Sequence, residues 1–238
     1  MTSTDATTTT DAADRIDPAD LDADAAARGE LYRLLARAFE HPDEPLHRDL
    51  RDGTFEVTCR RLLDRTALDV DVPELTTDEE YEALAARYND LFAVGFAEYE
   101  DRTDGSLATS GPPVPLYEVE YRSDVSWGDV NVDLARAYDY YGLSVDEDAR
   151  DNHDNLRLEL AFAGYLARRA ALDPDEGAAG ARLDFLDRHL GVLAEGVADA
   201  LDAEYDTGVY GTLGRFLDAL VAADAAELGE RRERGEVP

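Results

Sequence analysis

The chain contains no lysine: all of its basic residues are arginine, and they number 23 against 55 acidic residues, for a formal net charge of −32. Such a surplus repels itself in dilute salt and is relieved by screening, so the composition reads as adaptation to a high-salt interior. It also argues against a nucleic-acid partner, which needs a basic footprint. Cysteine is nearly absent as well. The single Cys59 excludes an intramolecular disulfide and a cysteine-built metal site, and it reads as a small apolar filler. No run approaches the roughly 18 consecutive apolar residues of a membrane span, and the N-terminus lacks the charged start and apolar core of a signal peptide. A cytoplasmic protein with no stable membrane insertion is expected. There is no glycine-rich phosphate loop and no nucleophile elbow.

What is present is helical periodicity. With 238 residues and 44% hydrophobic content the chain can bury a real core. Residues 1–24, rich in Thr, Asp and Ala, cannot offset their own ordering entropy and are expected to be a disordered tail. Apolar residues then recur at spacings of three and four. They predict helices over about 25–39, 46–51 and 55–65. Another is predicted to start at a Thr77/Glu80 capping box and run to about Ala93. Asp129 is expected to cap a further helix ended by Gly142, and helices carrying Leu183 to Leu201 and Leu213 to Val221 follow. Residues 69–72 read as loop, 95–115 as a long Gly/Pro-rich connection, and 227–238 as a charged, frayed tail. The expected architecture is all-α: a single-domain helical bundle over 25–226.

The most apolar helix begins after Asp151-Asn152-His153-Asp154-Asn155 and continues through Leu156 to Ala167 with only Arg157 and Glu159 charged. Its width of apolar surface belongs in the middle of a bundle, capped by Asp154 or Asn155. The polar cluster before it is expected to be an exposed mouth. Glu44 and His47 have the Glu-x-x-His spacing of di-iron bundles, but a second such motif is missing, so a surface turn is the better reading and no metal or other cofactor is expected. His189, beside an apolar stripe, reads as a structural histidine bonded to a backbone group or a carboxylate. No third group completes a triad, so catalysis finds no support. Tyr88, Leu91 and Phe92 read as core. Phe96, at the border of the long connection, can line an apolar groove for a peptide, with the Asp151–Asn155 mouth offering carboxylates to a basic segment.

Four blocks in order resemble the TorD/DmsD/NarJ group of redox-enzyme maturation chaperones. They are Tyr88-Asn89-Asp90-Leu91-Phe92, similar to the family's aromatic-x-x-Leu-Phe; Pro115-Leu116-Tyr117-Glu118-Val119-Glu120-Tyr121, similar to Pro-x-Tyr-Glu-x-x-Tyr; residues 151–159, similar to Glu-Pro-x-Asp-His-Leu-x-x-Glu-Leu; and Phe185 to Leu190. Asp151 stands for the family's Glu, Asn152 for its Pro and Asn155 for its His. The resemblance implies an all-helical TorD-like fold. It also implies a non-catalytic cytoplasmic chaperone, monomer or dimer, that binds the twin-arginine signal or N-terminal peptide of a molybdenum-cofactor oxidoreductase until its cofactor is loaded. Carried across residue by residue, Asp154 and Asn155 become polar contacts and Tyr88, Leu91, Phe92 and Phe96 the apolar wall, with Pro115, Tyr117, Glu118, Tyr121 and Asp151 as further peptide-binding residues. Two rivals stand beside it: a helical scaffold docking on a folded enzyme subunit, and a nucleotide-hydrolysing enzyme.

Overall fold

The computed structural model describes residues 21–95, 97–101, 106–109, 111–123, 125–145, 152–173 and 177–237. The expected start of the first helix at about residue 25 moves two residues earlier. Helix α1 (Ala23–Ala38) is capped by the Asp22 carboxylate, which accepts from the N–H groups of Asp24 and Ala25. Helix α2 (Glu44–Arg51) takes Pro45 in its first turn, where a missing N–H costs nothing, and α3 (Thr54–Leu63) follows. His47 in α2 bonds the Glu79 carbonyl at 2.8 Å, a structural role for one half of the Glu-x-x-His pair.

The Thr77/Glu80 capping box does not form. Thr77 accepts instead from the N–H of Glu79, and helix α4 (Tyr81–Tyr88) begins four residues after Thr77 with no side-chain cap. A π turn, Asn89–Ala93, extends it. The connection thought irregular contains an antiparallel hairpin, β1 (Ala97–Asp101) with β2 (Ser106–Thr109), broken in register between Tyr99 and Asp101. Its strands are too short for alternation to announce them. A 3₁₀ turn, Glu118–Tyr121, precedes α5 (Trp127–Tyr140), capped by Ser126 rather than by the expected Asp129.

Helix α6 (Leu156–Leu172) is the central helix, capped by the Asn155 side chain. It packs along α1 more extensively than any other pair of elements. The reason is visible where they cross: a Cβ added at Gly164 would lie 3.0 Å from the Gly29 carbonyl oxygen, so only paired glycines allow backbone to meet backbone. Helix α7 (Ala178–Phe185) runs through a second π turn, Leu186–Leu190, into α8 (Gly191–Ala203). Helix α9 (Val209–Glu233) closes the bundle. A buried ion knot ties three helices: Asp224 of α9 accepts from Arg28 (2.7 Å) and Tyr32 (2.6 Å) of α1 and from Arg182 (3.2 Å) of α7.

The C-terminal segment differs from the frayed tail expected of its charge. Helix α9 continues to Glu233, Leu228 is fully buried, and Val237 returns to the core at 4% exposure. Apart from the short hairpin, every element longer than a turn among the described residues is helical, and the fold class is all-α.

Candidate peptide-binding site

The segment from Val114 to Arg122 organises the site. At its start the N–H of Val114 donates to the Leu91 carbonyl (3.0 Å), fastening it to the first π turn. Two residues on it makes a bridge with the mouth of α6. The N–H of Leu156 donates to Leu116, that of Glu118 donates to Asp154, both at 2.9 Å, and Tyr117 faces Asn155 across an antiparallel bridge. Tyr121 turns back to donate to the Pro115 carbonyl (2.8 Å), and its ring lies against Gly196 of α8, where an added Cβ would sit 2.4 Å from it. The segment therefore carries Pro115, Tyr117, Glu118 and Tyr121 between Leu91 on one side and Asp154 and Asn155 on the other.

The mouth is closed rather than open. Glu118 and Asp154 are both 0% exposed and Asn155 is buried; among the described mouth residues Asn152 is exposed and His153 half-buried. Asp154 departs from the expected exposed acidic mouth because a segment some thirty-five residues away covers it, a non-local contact that no helical period encodes. In this conformation Glu118 and Asp154 act from beneath the surface. Phe96 and Asp151 lie outside the described residues.

Under the segment is a polar knot. Glu118 accepts from Arg122 and faces His189 Nδ1 at 2.9 Å, while His189 Nε2 faces Asp133 of α5 at 3.2 Å. The histidine reading is borne out, with two carboxylate partners. Asp154 receives only the Val119 N–H on one oxygen, at 3.3 Å, and nothing on the other. Neither oxygen of the fully buried Glu159 meets a donor. Glu118 beside it is an acceptor too, so the two carboxyl groups share a hydrogen bond only when one carries a proton. Burial pushes Glu159 well above the ordinary carboxylate range, and the charge of Glu118, a hydrogen bond to it, and the charge of Asp154 push the same way. Glu159 holds that proton. Burial first, and then the charges of Glu118 and Asp154, also push the Tyr138 hydroxyl up, and Tyr138 donates to the His153 carbonyl at 2.9 Å.

The aromatic part sits around the first π turn. Phe92 meets Tyr88 (centroids 5.1 Å), Tyr210 (5.2 Å) and Phe39 (6.0 Å), the last two edge-on. Leu91 and Phe92 are buried, as the core reading had it, while Tyr88, Pro115, Tyr117 and Tyr121 keep part of their surface in solvent. Outside this cluster, a cleft of about 540 Å³ opens between α4 and the α8–α9 connection, with Leu91 and Pro113 in its wall. Its carboxylates, Glu79, Asp90, Glu204 and Asp206, were not singled out from sequence. The only local signal was the Asp206-Thr207-Gly208 turn.

The segment thus sets partly exposed aromatic faces over a buried, proton-sharing base. Among the described residues no group of histidine, cysteine and carboxylate side chains could hold a metal, and no helix is long and apolar enough to cross a membrane. An all-helical body in which blocks far apart in sequence meet around one buried knot is the class of protein that the TorD/DmsD/NarJ resemblance implied. Residues 54–198 match the model of the nitrate reductase delta subunit family, and the chain belongs to that family. It is 31% identical to the selenate reductase assembly chaperone protein of Thauera selenatis, over 84% of this chain and 89% of that one. It is 32% identical to the dimethyl sulfide dehydrogenase assembly chaperone protein of Rhodovulum sulfidophilum, over 87% and 85%. The perchlorate reductase assembly chaperone protein of Dechloromonas aromatica is 28% identical, over 81% and 88%.

Proposed function

We propose that the protein is an assembly chaperone for a molybdenum-cofactor oxidoreductase of the dimethyl-sulfoxide-reductase type, working in the cytoplasm without catalysis of its own. It binds the enzyme's N-terminal segment or twin-arginine signal and holds the enzyme back until the cofactor is in place. The observation that carries the reading is family membership together with relatives that are assembly chaperones across most of their length.

The site geometry supports a peptide rather than a folded surface as the ligand. Pro115 and Tyr117 on the segment, Tyr121 in its 3₁₀ turn and Tyr88 at the end of α4 each keep part of an apolar face in solvent, which suits side chains of an unfolded strand. Glu118, Asp154 and Asn155 hold that segment from below, so they position the wall, and a peptide that reaches them must first lift the segment. Phe96 and Asp151 belong to the same proposal as wall and polar rim.

The test is co-purification from cell extract in high salt with client enzyme carrying or lacking its N-terminal segment. Capture that depends on the segment is expected. Equal capture of the shortened client would overturn peptide recognition in favour of docking on a folded subunit. Tyr117→Ala, checked as folded, should weaken capture of the intact client about tenfold, the scale of removing one partly buried aromatic anchor; unchanged capture would remove Tyr117 from the site.

A further inference from the structure

Helix α5 has two apolar faces where a surface helix needs one. Its inner face, Val130, Leu134 and Tyr138, is buried against the bundle. On the opposite side a second stripe runs at spacings of three and four: Val125 just before the helix, then Asp129, Val132, Arg136 and Tyr140. Its apolar members are open to solvent, Val132 at 48% and Tyr140 at 82% exposure. With Val125 they are three of the eight large hydrophobic side chains exposed among the described residues, gathered on one stripe rather than scattered singly. Val125, Asp129, Val132 and Arg136 together wall a cleft of about 530 Å³, whose far side is the second π turn and Val192 of α8.

The charges on the stripe are unused by the fold. Asp129 accepts only from its own capping Ser126, and the exposed Arg136 has no ion-pair partner among the described residues, although acids outnumber arginines more than two to one. Two helical turns apart, about 10 Å along the axis, the two cannot reach each other. Neighbouring charges are already engaged: Asp133 with Arg188 and His189, and Arg122 with Glu118. The placement of the stripe is also symmetric. Asp129 and Arg136 stand equally far on either side of the point midway between Val132 and Asp133, and so do Val125 and Tyr140. A stripe with opposite charges at mirrored positions and apolar residues at its middle and both ends is its own complement when turned end over end.

We infer that the outer stripe of α5 is the contact face of a symmetric homodimer. The α5 helices of two copies lie antiparallel with Val132 at the two-fold axis, Asp129 of each copy pairs with Arg136 of the other, and Tyr140 of each covers Val125 of the other. The inference goes beyond the chaperone reading and does not depend on it. A second copy is the occupant because symmetry makes it supply, from the same stripe, a base opposite Asp129, an acid opposite Arg136 and an apolar residue at each end. Ion pairs this exposed contribute little, so the valines and the tyrosine supply the affinity while the charges fix the register. Each copy also carries a net charge of −32, and two such bodies approach only where salt screens them, so the dimer strengthens as salt is added.

Sedimentation equilibrium of the full chain over a range of protein concentrations, in about 1 M potassium chloride, reads the dimer. The parent should show a monomer–dimer equilibrium that weakens as the salt is diluted. Arg136→Glu sets acid against acid twice across the axis and Asp129→Arg sets base against base, so each variant alone should weaken the dimer about tenfold. Mixed in equal amounts, the two variants should regain the parent's affinity, because one copy then supplies both bases and the other both acids. Tyr140→Ala should also weaken the dimer, at a site too exposed to threaten the fold. The Ser126 cap survives Asp129→Arg, since it acts on a backbone N–H; if that variant nonetheless unfolds, Arg136→Glu and Tyr140→Ala still decide the question. A parent that stays monomeric at every concentration would overturn the inference, and capture of client enzyme that falls in Arg136→Glu would then assign the face to the client. A dimer unmoved by Arg136→Glu would put the contact elsewhere. A mixture no tighter than either variant alone would overturn the antiparallel register. None of these outcomes removes the chaperone reading.

Discussion

At the scale of single residues, Glu159 carries the clearest consequence. It sits fully buried beside two other carboxylates, with its native protonation favoured first by burial and then by the charge of Glu118. In the unfolded chain it loses its proton near pH 4.3, the ordinary glutamate value. The folded form binds that proton more tightly, so the stability it contributes is fully present below pH 4.3 and is lost as pH rises through the raised folded value. Glu159→Gln keeps the shape and replaces the shared proton with an N–H donor toward Glu118. The variant should match the parent below about pH 4.3 and exceed it by a margin that grows as pH rises toward 8. Thermal unfolding of both proteins across that range checks it; a constant difference at every pH would remove the titration from the explanation. Glu159 also marks what single-residue reading misses. Its position on a central helix was plain, but its proton depends on Glu118, which chain folding brings from forty-one positions earlier.

At the scale of elements, the helices were largely legible and their irregularities were not. The apolar spacing of Leu31, Leu34 and Leu35, or of Leu213, Phe216 and Leu217, needs only local order, and all six residues are buried as that spacing demands. The two π turns, by contrast, keep apolar spacing nearly intact while adding a residue to the turn, so a periodic reading runs straight through them. Both fall within blocks that carried the family resemblance, and each one aims a side chain: Phe92 into the aromatic cluster, His189 onto Glu118. The Thr77/Glu80 box is likewise undone by non-local pairing, since the Glu80 carboxylate accepts from Arg51 and its backbone stays extended until Tyr81. The second π turn is open to direct test. The Gly191 N–H donates to the Leu186 carbonyl, and an added Cβ would lie 2.7 Å from that oxygen. Gly191→Ala should therefore cost about 1–3 kcal/mol despite alanine's better helix propensity. It should also loosen His189 from Glu118, visible as altered histidine resonances by NMR. A stabilised variant with unmoved resonances would mean the turn is incidental.

At the scale of the whole molecule, opposing electrostatic effects must be weighed. Many arginines are paired on the surface, as Arg215 is with Asp202 and Arg60 with Glu56, and such exposed pairs contribute little and weaken in salt. Against them stands the mutual repulsion of a net charge of −32. Screening length falls from about 30 Å at 0.01 M salt to about 3 Å at 1 M, so dilute salt lets the charges act across the width of the bundle while concentrated salt confines each to its neighbours. The buried knots, Arg28 and Arg182 on Asp224 and His189 on Glu118, are shielded from solvent ions and keep most of their strength throughout. Repulsion therefore falls further than attraction as salt is added, and the melting temperature should rise with potassium chloride from 0.01 to 1 M, most steeply at the dilute end. Circular dichroism at constant pH measures it, with sucrose of matching osmotic strength as the uncharged comparison. A rise of equal size in sucrose would assign the effect to exclusion of solute from the protein surface rather than to charge. A melting temperature indifferent to both would mean that the acidic surface had already been offset by the arrangement of its arginines, and the high-salt reading of the composition would fall.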